Sequence, residues 1–231
     1  METGEILELM RQAWHTTIPL GVASIICMGI VIERFWRYRG MDAHTKALTR
    51  EVVDALVRRD VATVRSLCER SNTPAANIFL DGLRWKNIAL EDLDRVLATS
   101  RQESVHGLRR GLWILGTVGS LAPYVGLFGT VIGIIRAFQA MAAEGAGGFE
   151  VVAAGISEAL VATAVGLAVA ITALLFFNYL SVRVTNIANT LARACERFVQ
   201  ALLYVESAGG TAAPTPDAPP QEVPGAQPQH A

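Results

Sequence analysis

Hydrophobic positions gather into three windows of about 20 residues that are nearly free of charge, enough to cross roughly 30 Å of hydrocarbon. They are 13–32 (AWHTTIPLGVASIICMGIVI), 112–135 (LWILGTVGSLAPYVGLFGTVIGII) and about 155–180. Between the first two the pattern becomes periodic. DAHTKALTREVVDALVRRDVATVRSLCER sets Leu48, Val52, Val53, Leu56, Val57, Val61, Val64 and Leu67 at the spacing of an amphipathic helix or two. SNTP at 71–74 is a helix start, with Thr73 as the cap and Pro74 at the first helical position. A further helix is expected from near Asn87. Leu90 to Arg110 holds no proline and one glycine, which predicts a single long helix rising into the second span. The third span runs on through SVRVTNIANTLARACERFVQALLYV without a breaker, so it should extend well beyond the membrane.

These elements predict an all-α polytopic membrane protein with three transmembrane helices, two of them extending into a cytoplasmic helical bundle. The expected division is 1–12 an outside N-terminal segment, 13–32 the first transmembrane helix, 33–110 a cytoplasmic helical insert and 111–138 the second transmembrane helix. Then follow 139–150, a short periplasmic loop, 151–180, the third transmembrane helix, and 181–206, a cytoplasmic helix. The stretch 207–231 carries six of the nine prolines and almost no large apolar residue, and is expected to be a disordered Pro/Ala-rich tail.

A hydrophobic fraction of 52% agrees with membrane residence. Charge sets the orientation. Residues 33–110 carry 15 Lys/Arg against 11 Asp/Glu, whereas 139–150 has Glu144 and Glu150 and no cation. By the positive-inside rule the N-terminus lies outside and the C-terminus is cytoplasmic, with Arg34, Arg37, Arg39, Arg109 and Arg110 at the inner face. The first residues, METGEILELM, lack the cationic start of a signal peptide, so the first span is expected to be retained. Cys27, Cys68 and Cys195 show no CxxC spacing and are expected to be unreactive thiols rather than a disulfide or metal site.

Small residues mark the second and third spans. Gly126, Gly129 and Gly133 on one, and Ala162, Gly166 and Ala170 on the other, suit close helix packing in lipid. So many small faces point to contact with further subunits, ordinary packing within one chain being the alternative. Pro19 and Pro123 each remove a backbone donor inside a span. Thr130 lies roughly 12 Å from the end of its span near Phe138, and Thr163 roughly 18 Å below Val151, so the two hydroxyls fall at comparable depths. A ring of such pairs would hold water in a pore; alternatively each hydroxyl bonds a carbonyl of its own helix. Glu158 is a carboxylate at the head of an apolar run, which is costly in hydrocarbon and normally faces a cavity, partner or proton path. The other reading sets it at the outer interface, complementing the positive helix end. At 100° per residue it stands about 140° from Thr163 around the helix.

Catalysis has little support. GISEA at 155–159 has a Gly-x-Ser string, but the only spanning histidine is His15 and His106 falls in the insert. Without a Walker-type loop, a metal-ligand cluster or a basic patch interleaved with aromatics, no cofactor, no metal and no nucleic-acid partner is expected.

The stretch GSLAPYVGLFGTVIGIIRAF at 119–138, followed after a short acidic connection by GISEALVATAVGLAVAITALLFFNYL at 155–180, closely resembles the ExbB/TolQ branch of the MotA/TolQ/ExbB proton-channel family. The resemblance covers the paired spans with high specificity and the insert and tail only in general character. It implies a subunit of a bacterial inner-membrane motor driven by the proton-motive force. It further implies a pentameric homo-oligomer around a single-span ExbD/TolR-like partner dimer whose aspartate carries the proton, acting through a TonB- or TolA-like protein. Thr130 and Thr163 map onto the family's pore threonines and Glu158 onto its glutamate, as a proton-path or gating carboxylate. Many relatives carry a proline in the inner half of the third span, where this chain reads AVAITALLFF around Ile171 and Thr172, so the curvature of that helix is left open. Other readings are a gliding- or flagellar-type stator, the latter disfavoured by three spans rather than four, and a non-conducting scaffold.

Overall fold

A computed structural model describes residues 14–85, 88–144 and 148–210. The N-terminal segment 1–12, the helix start at Asn87 and the tail from residue 211 lie outside the described residues. Those residues form seven helices and no strand: α1 (Trp14–Tyr38), α2 (Met41–Val57), α3 (Val61–Arg70), α4 (Pro74–Arg84), α5 (Leu90–Arg109), α6 (Leu112–Glu144) and α7 (Gly148–Gly210). Three stretches, in α1–α2, α6 and α7, are long and apolar enough to cross a membrane. The chain is an all-α polytopic membrane protein.

In α1, α6 and the first half of α7 large apolar side chains face outward, Ile25 at 74%, Phe128 at 62% and Leu175 at 65% exposure among them. In water such faces would be costly; in lipid they are matched, because the acyl chains are as apolar as the side chains. Inward, α1 buries Leu20, Cys27, Val31, Arg34 and Tyr38, a stripe at helical spacing.

Below the Arg34 level the core becomes that of a soluble bundle. α2 to α5 pack round the second half of α7, burying Val52, Val64, Ile78, Phe79, Leu97, Leu180, Val184, Ile187, Leu191 and Phe198. Phe79 and Phe198 stack at 4.9 Å between ring centroids, worth about 1 kcal/mol beyond their burial. The amphipathic stretch 42–70 is two helices. Arg59, in the left-handed region at φ 61°, breaks it, and Asp60 caps α3 by accepting from the Thr63 amide at 2.9 Å. Val57 and Val61, which flank the break, are therefore exposed instead of sharing the core stripe. Thr73 does precede Pro74 at the start of α4, but its hydroxyl engages Ser71 at 3.0 Å and makes no cap bond.

Three of the expected boundaries differ in the structure. The helix from Leu90 does not continue into the second span: it stops at Arg109, Arg110 is extended, and Gly111 adopts φ +83° before α6 begins. Glycine tolerates this conformation where other residues are strained. The Tyr38 hydroxyl donates to the Leu108 carbonyl at 2.5 Å, satisfying an acceptor that the end of α5 leaves open. At the opposite end α6 continues to Glu144 and α7 starts at Gly148, so much of the connection expected over 139–150 is helical. The third span and its extension are one helix, which also takes in residues 207–210 of the expected tail. The Thr172 hydroxyl donates to the Ala168 carbonyl at 2.8 Å, where relatives were expected to carry proline; such back-bonding bends a helix gently.

Candidate functional site

Glycine and alanine bring α6 and α7 together as an antiparallel pair, the most extensive packing in the fold. Gly155 faces Ala137, Gly133 faces Ala159, and Gly126 meets both Thr163 and Gly166. A Cβ on Gly133 would lie 2.6 Å from the Ala159 Cβ, and one on Gly166 would lie 2.8 Å from the Ala122 carbonyl oxygen. The helices touch through backbone, an approach that lipid does not drive and that small residues permit. Ala162, Ala170 and Gly129 are buried in the same fold. The small residues singled out in the sequence are thus engaged within one chain, and by themselves they do not demand another subunit.

The hydroxyls differ from each other. Thr130 is buried, and its Oγ1 donates to the Leu127 carbonyl of its own helix at 2.7 Å. Thr163 presses its backbone on Gly126, and its Oγ1 is buried with no hydrogen-bond partner among the described residues. Leaving such a group unpaired costs about 1–3 kcal/mol, and the Thr45 hydroxyl in the insert shares this state. Stepping along the register from Gly133 and Ala159 sets Thr130 level with Ala162, next to Thr163. The fold brings the two threonines to the same stretch of one seam.

Glu158 sits at the flank of that seam, half-buried, one residue before Ala159. Because α7 starts at Gly148, the carboxylate is ten residues, about 15 Å, into the helix. The helix-end dipole acts only over the first turn, so it does not explain this position. Arg136 on the facing helix acts on Glu158 electrostatically, with no ion pair within 4.0 Å. Sequence reasoning passed over Arg136; the signal was a lone cation in the apolar run GIIRAF, level with the acid on an antiparallel neighbour.

The residues of the Gly-x-Ser string do not form a nucleophile site. Ser157 lies exposed within continuous helix, not on the strand-to-helix turn that such a nucleophile needs. His106 is exposed on α5, and the side chain of His15 falls outside the described residues. The three cysteines are free and lie in separate elements. Burial pushes the thiols of Cys68 and Cys195 up to about 11.

Residues 70–193, a little over half of the chain, match the family described as the MotA/TolQ/ExbB proton channel family. An ExbB-like protein 1 of Synechocystis sp. is 32% identical over 78% of this chain and 72% of its own length. The biopolymer transport protein ExbB of Pseudomonas putida is 31% identical over 81% of this chain and 58% of its own. The Tol-Pal system protein TolQ of Haemophilus influenzae is 39% identical over 47% of each. This chain thus spans about half the length of that last relative.

Proposed function

Because the chain belongs to the MotA/TolQ/ExbB proton channel family, we propose that it is the proton-channel subunit of an inner-membrane motor of the TonB/Tol type. The motor uses the proton-motive force to energise a TonB- or TolA-like protein for outer-membrane transport or envelope maintenance. Thr130, Thr163 and Glu158 lie on the proton pathway. The observation that carries this reading is the Thr163 hydroxyl: buried, unpartnered among the described residues, and five residues, about 1.4 helical turns, from a membrane carboxylate. A hydroxyl that finds no acceptor among the described residues is fit to bond water or a partner's group.

Threonine cannot take up and release a proton near neutral pH, and within 112–143 and 151–180 the one acid is Glu158. The second carboxylate, to which the proton passes, comes from a partner: a dimer of a single-span chain of the ExbD/TolR type with a membrane aspartate, enclosed by a homo-oligomer, a pentamer by family resemblance. The N-terminus is periplasmic and the C-terminus cytoplasmic. At roughly 150 mV one inward proton releases about 3.5 kcal/mol before any pH contribution, enough to bias a conformational step.

The test is proton flux in liposomes that hold this chain with its co-expressed single-span partner. Thr163→Ala and Glu158→Ala should abolish partner-dependent flux while the complex still assembles. Unchanged flux in both would remove these residues from the pathway, and absence of flux in the wild type would favour the scaffold.

A further inference from the structure

One groove between α1 and α7 changes character along its length. At membrane depth a cavity of about 250 Å³ is lined by Ser24, Met28, Ala168, Thr172 and Phe176, with Leu115 of α6. Beyond it a second cavity, about 320 Å³, is lined by Phe35, Tyr38, Arg39, Tyr179, Leu180 and Arg183. The two share the same faces: residues 24, 28, 31 and 35 continue one stripe on α1, with Arg39 one residue past its end, and 168, 172, 176, 179 and 183 the matching stripe on α7. The helices run parallel here, so the cavities lie end to end. From Ser24 to Arg39 is 15 residues, about 22 Å at the helical rise, which is half of a bilayer of about 40–45 Å with its headgroups. The groove is as long as one leaflet is thick.

Charge is uneven along it. The membrane part presents carbon and two small hydroxyls, of which Thr172 bonds its own helix. The far end presents two guanidinium groups beside two tyrosines. Of the acids near it, Glu33 is engaged by Arg34 and Arg37 at 3.3 and 3.5 Å, and Asp42 approaches Arg183 at 3.9 Å. Arg39 makes no ion pair within 4.0 Å among the described residues. The pocket therefore keeps an excess of positive charge at the level where spans meet headgroups. We propose that this groove is a binding site for one anionic phospholipid, its acyl chain along Met28, Ala168 and Thr172 and its phosphate between Arg39 and Arg183. Basic pockets between transmembrane helices recognise anionic headgroups in this way. The inference needs only that the chain spans a membrane, and stands apart from proton conduction.

The test uses the full chain in detergent, titrated with dioleoylphosphatidylglycerol, dioleoylphosphatidylcholine or inorganic phosphate, with native mass spectrometry counting bound lipid. The wild type should hold one phosphatidylglycerol per chain in preference to phosphatidylcholine. At about fivefold per arginine, R39Q/R183Q should bind phosphatidylglycerol about thirtyfold more weakly, and R39K/R183K should keep most of the affinity, separating lost charge from lost fold. Ala168→Phe should fill the groove and weaken both lipids. Equal binding of the two lipids, full affinity in R39Q/R183Q, or displacement of the lipid by phosphate alone would each overturn the proposal. A lipid-free mass that shifts to a larger homo-oligomer on R39Q/R183Q substitution would instead assign the groove to a second copy.

Discussion

Gly126 and Thr163 meet backbone to backbone: a Cβ on Gly126 would lie 3.0 Å from the Thr163 Cα and 3.3 Å from its carbonyl oxygen. Across the same contact a Cβ on Gly166 would lie 3.0 Å from the Gly126 Cα. The seam that carries the candidate threonines is thus closed by atoms that cannot move aside as a side-chain tip can. Gly126→Leu and Gly166→Leu should each force α6 from α7 and cost more than the about 1–3 kcal/mol of ordinary overpacking. Thermal unfolding in detergent should show a clear fall in midpoint for both, whereas Gly21→Leu, with open space around it, should leave the midpoint near that of the wild type.

A substitution at Thr163 should separate stability from activity. Thr163→Val keeps the shape and removes a buried oxygen that has no partner among the described residues, so the fold should be as stable or gain about 1 kcal/mol. Energised uptake in cells lacking the native protein should nevertheless be lost. A variant that melts lower and still supports full uptake would return the hydroxyl to a packing role.

The break between α5 and α6 rests on two independent supports. Gly111→Val must adopt φ +83° beside the Arg34 guanidinium, 3.8 Å from the glycine's would-be Cβ, and should cost about 1–3 kcal/mol in backbone strain. Tyr38→Phe removes the hydroxyl that meets the Leu108 carbonyl, at about 1–2 kcal/mol. Denaturation midpoints of both variants check these figures; a neutral Gly111→Val would mean that the break can straighten into continuous helix.

The thiols supply a pH signature. Burial lifts Cys68 and Cys195 from 9.0 to about 11 in the folded chain, so the fold favours their neutral form. Their contribution to stability is whole below about pH 9 and falls as the pH rises from 9 toward 11. In a Cys27→Ala background, maleimide labelling at pH 8 should be slow in detergent and fast in denaturant, because the thiolate is the nucleophile. Fast labelling of the native protein would show that the bundle opens locally around α3 or α7.

Much of this was legible in order along the chain. Charge-free windows located three spans because hydrocarbon demands apolar length. The 3.6-residue period located the insert helices, and the unbroken run after residue 180 announced the long α7. Gly111 was visible too, yet a glycine says only that a left-handed residue is tolerated; whether the helix breaks there depends on what Tyr38 and Arg34 offer on the far side. Val57 and Val61 fit the apolar period and still lie outside the core, since the period is lost where Arg59 turns the chain.

What the sequence by itself determined is the set of membrane helices, the one carboxylate and the threonines within the second and third spans, and the small faces on α6 and α7. These are local matters, set by side-chain transfer free energies and backbone preferences that act within a few turns. Only the tertiary structure decided that the Thr130 hydroxyl meets the Leu127 carbonyl, that Thr163 meets none among the described residues, that Arg136 stands opposite Glu158, and that the stripes of α1 and α7 align into one groove. Those relationships depend on the antiparallel register of α6 with α7 and the parallel register of α1 with α7. Register is settled by backbone contact between residues far apart in the chain, and no periodicity within one helix contains it.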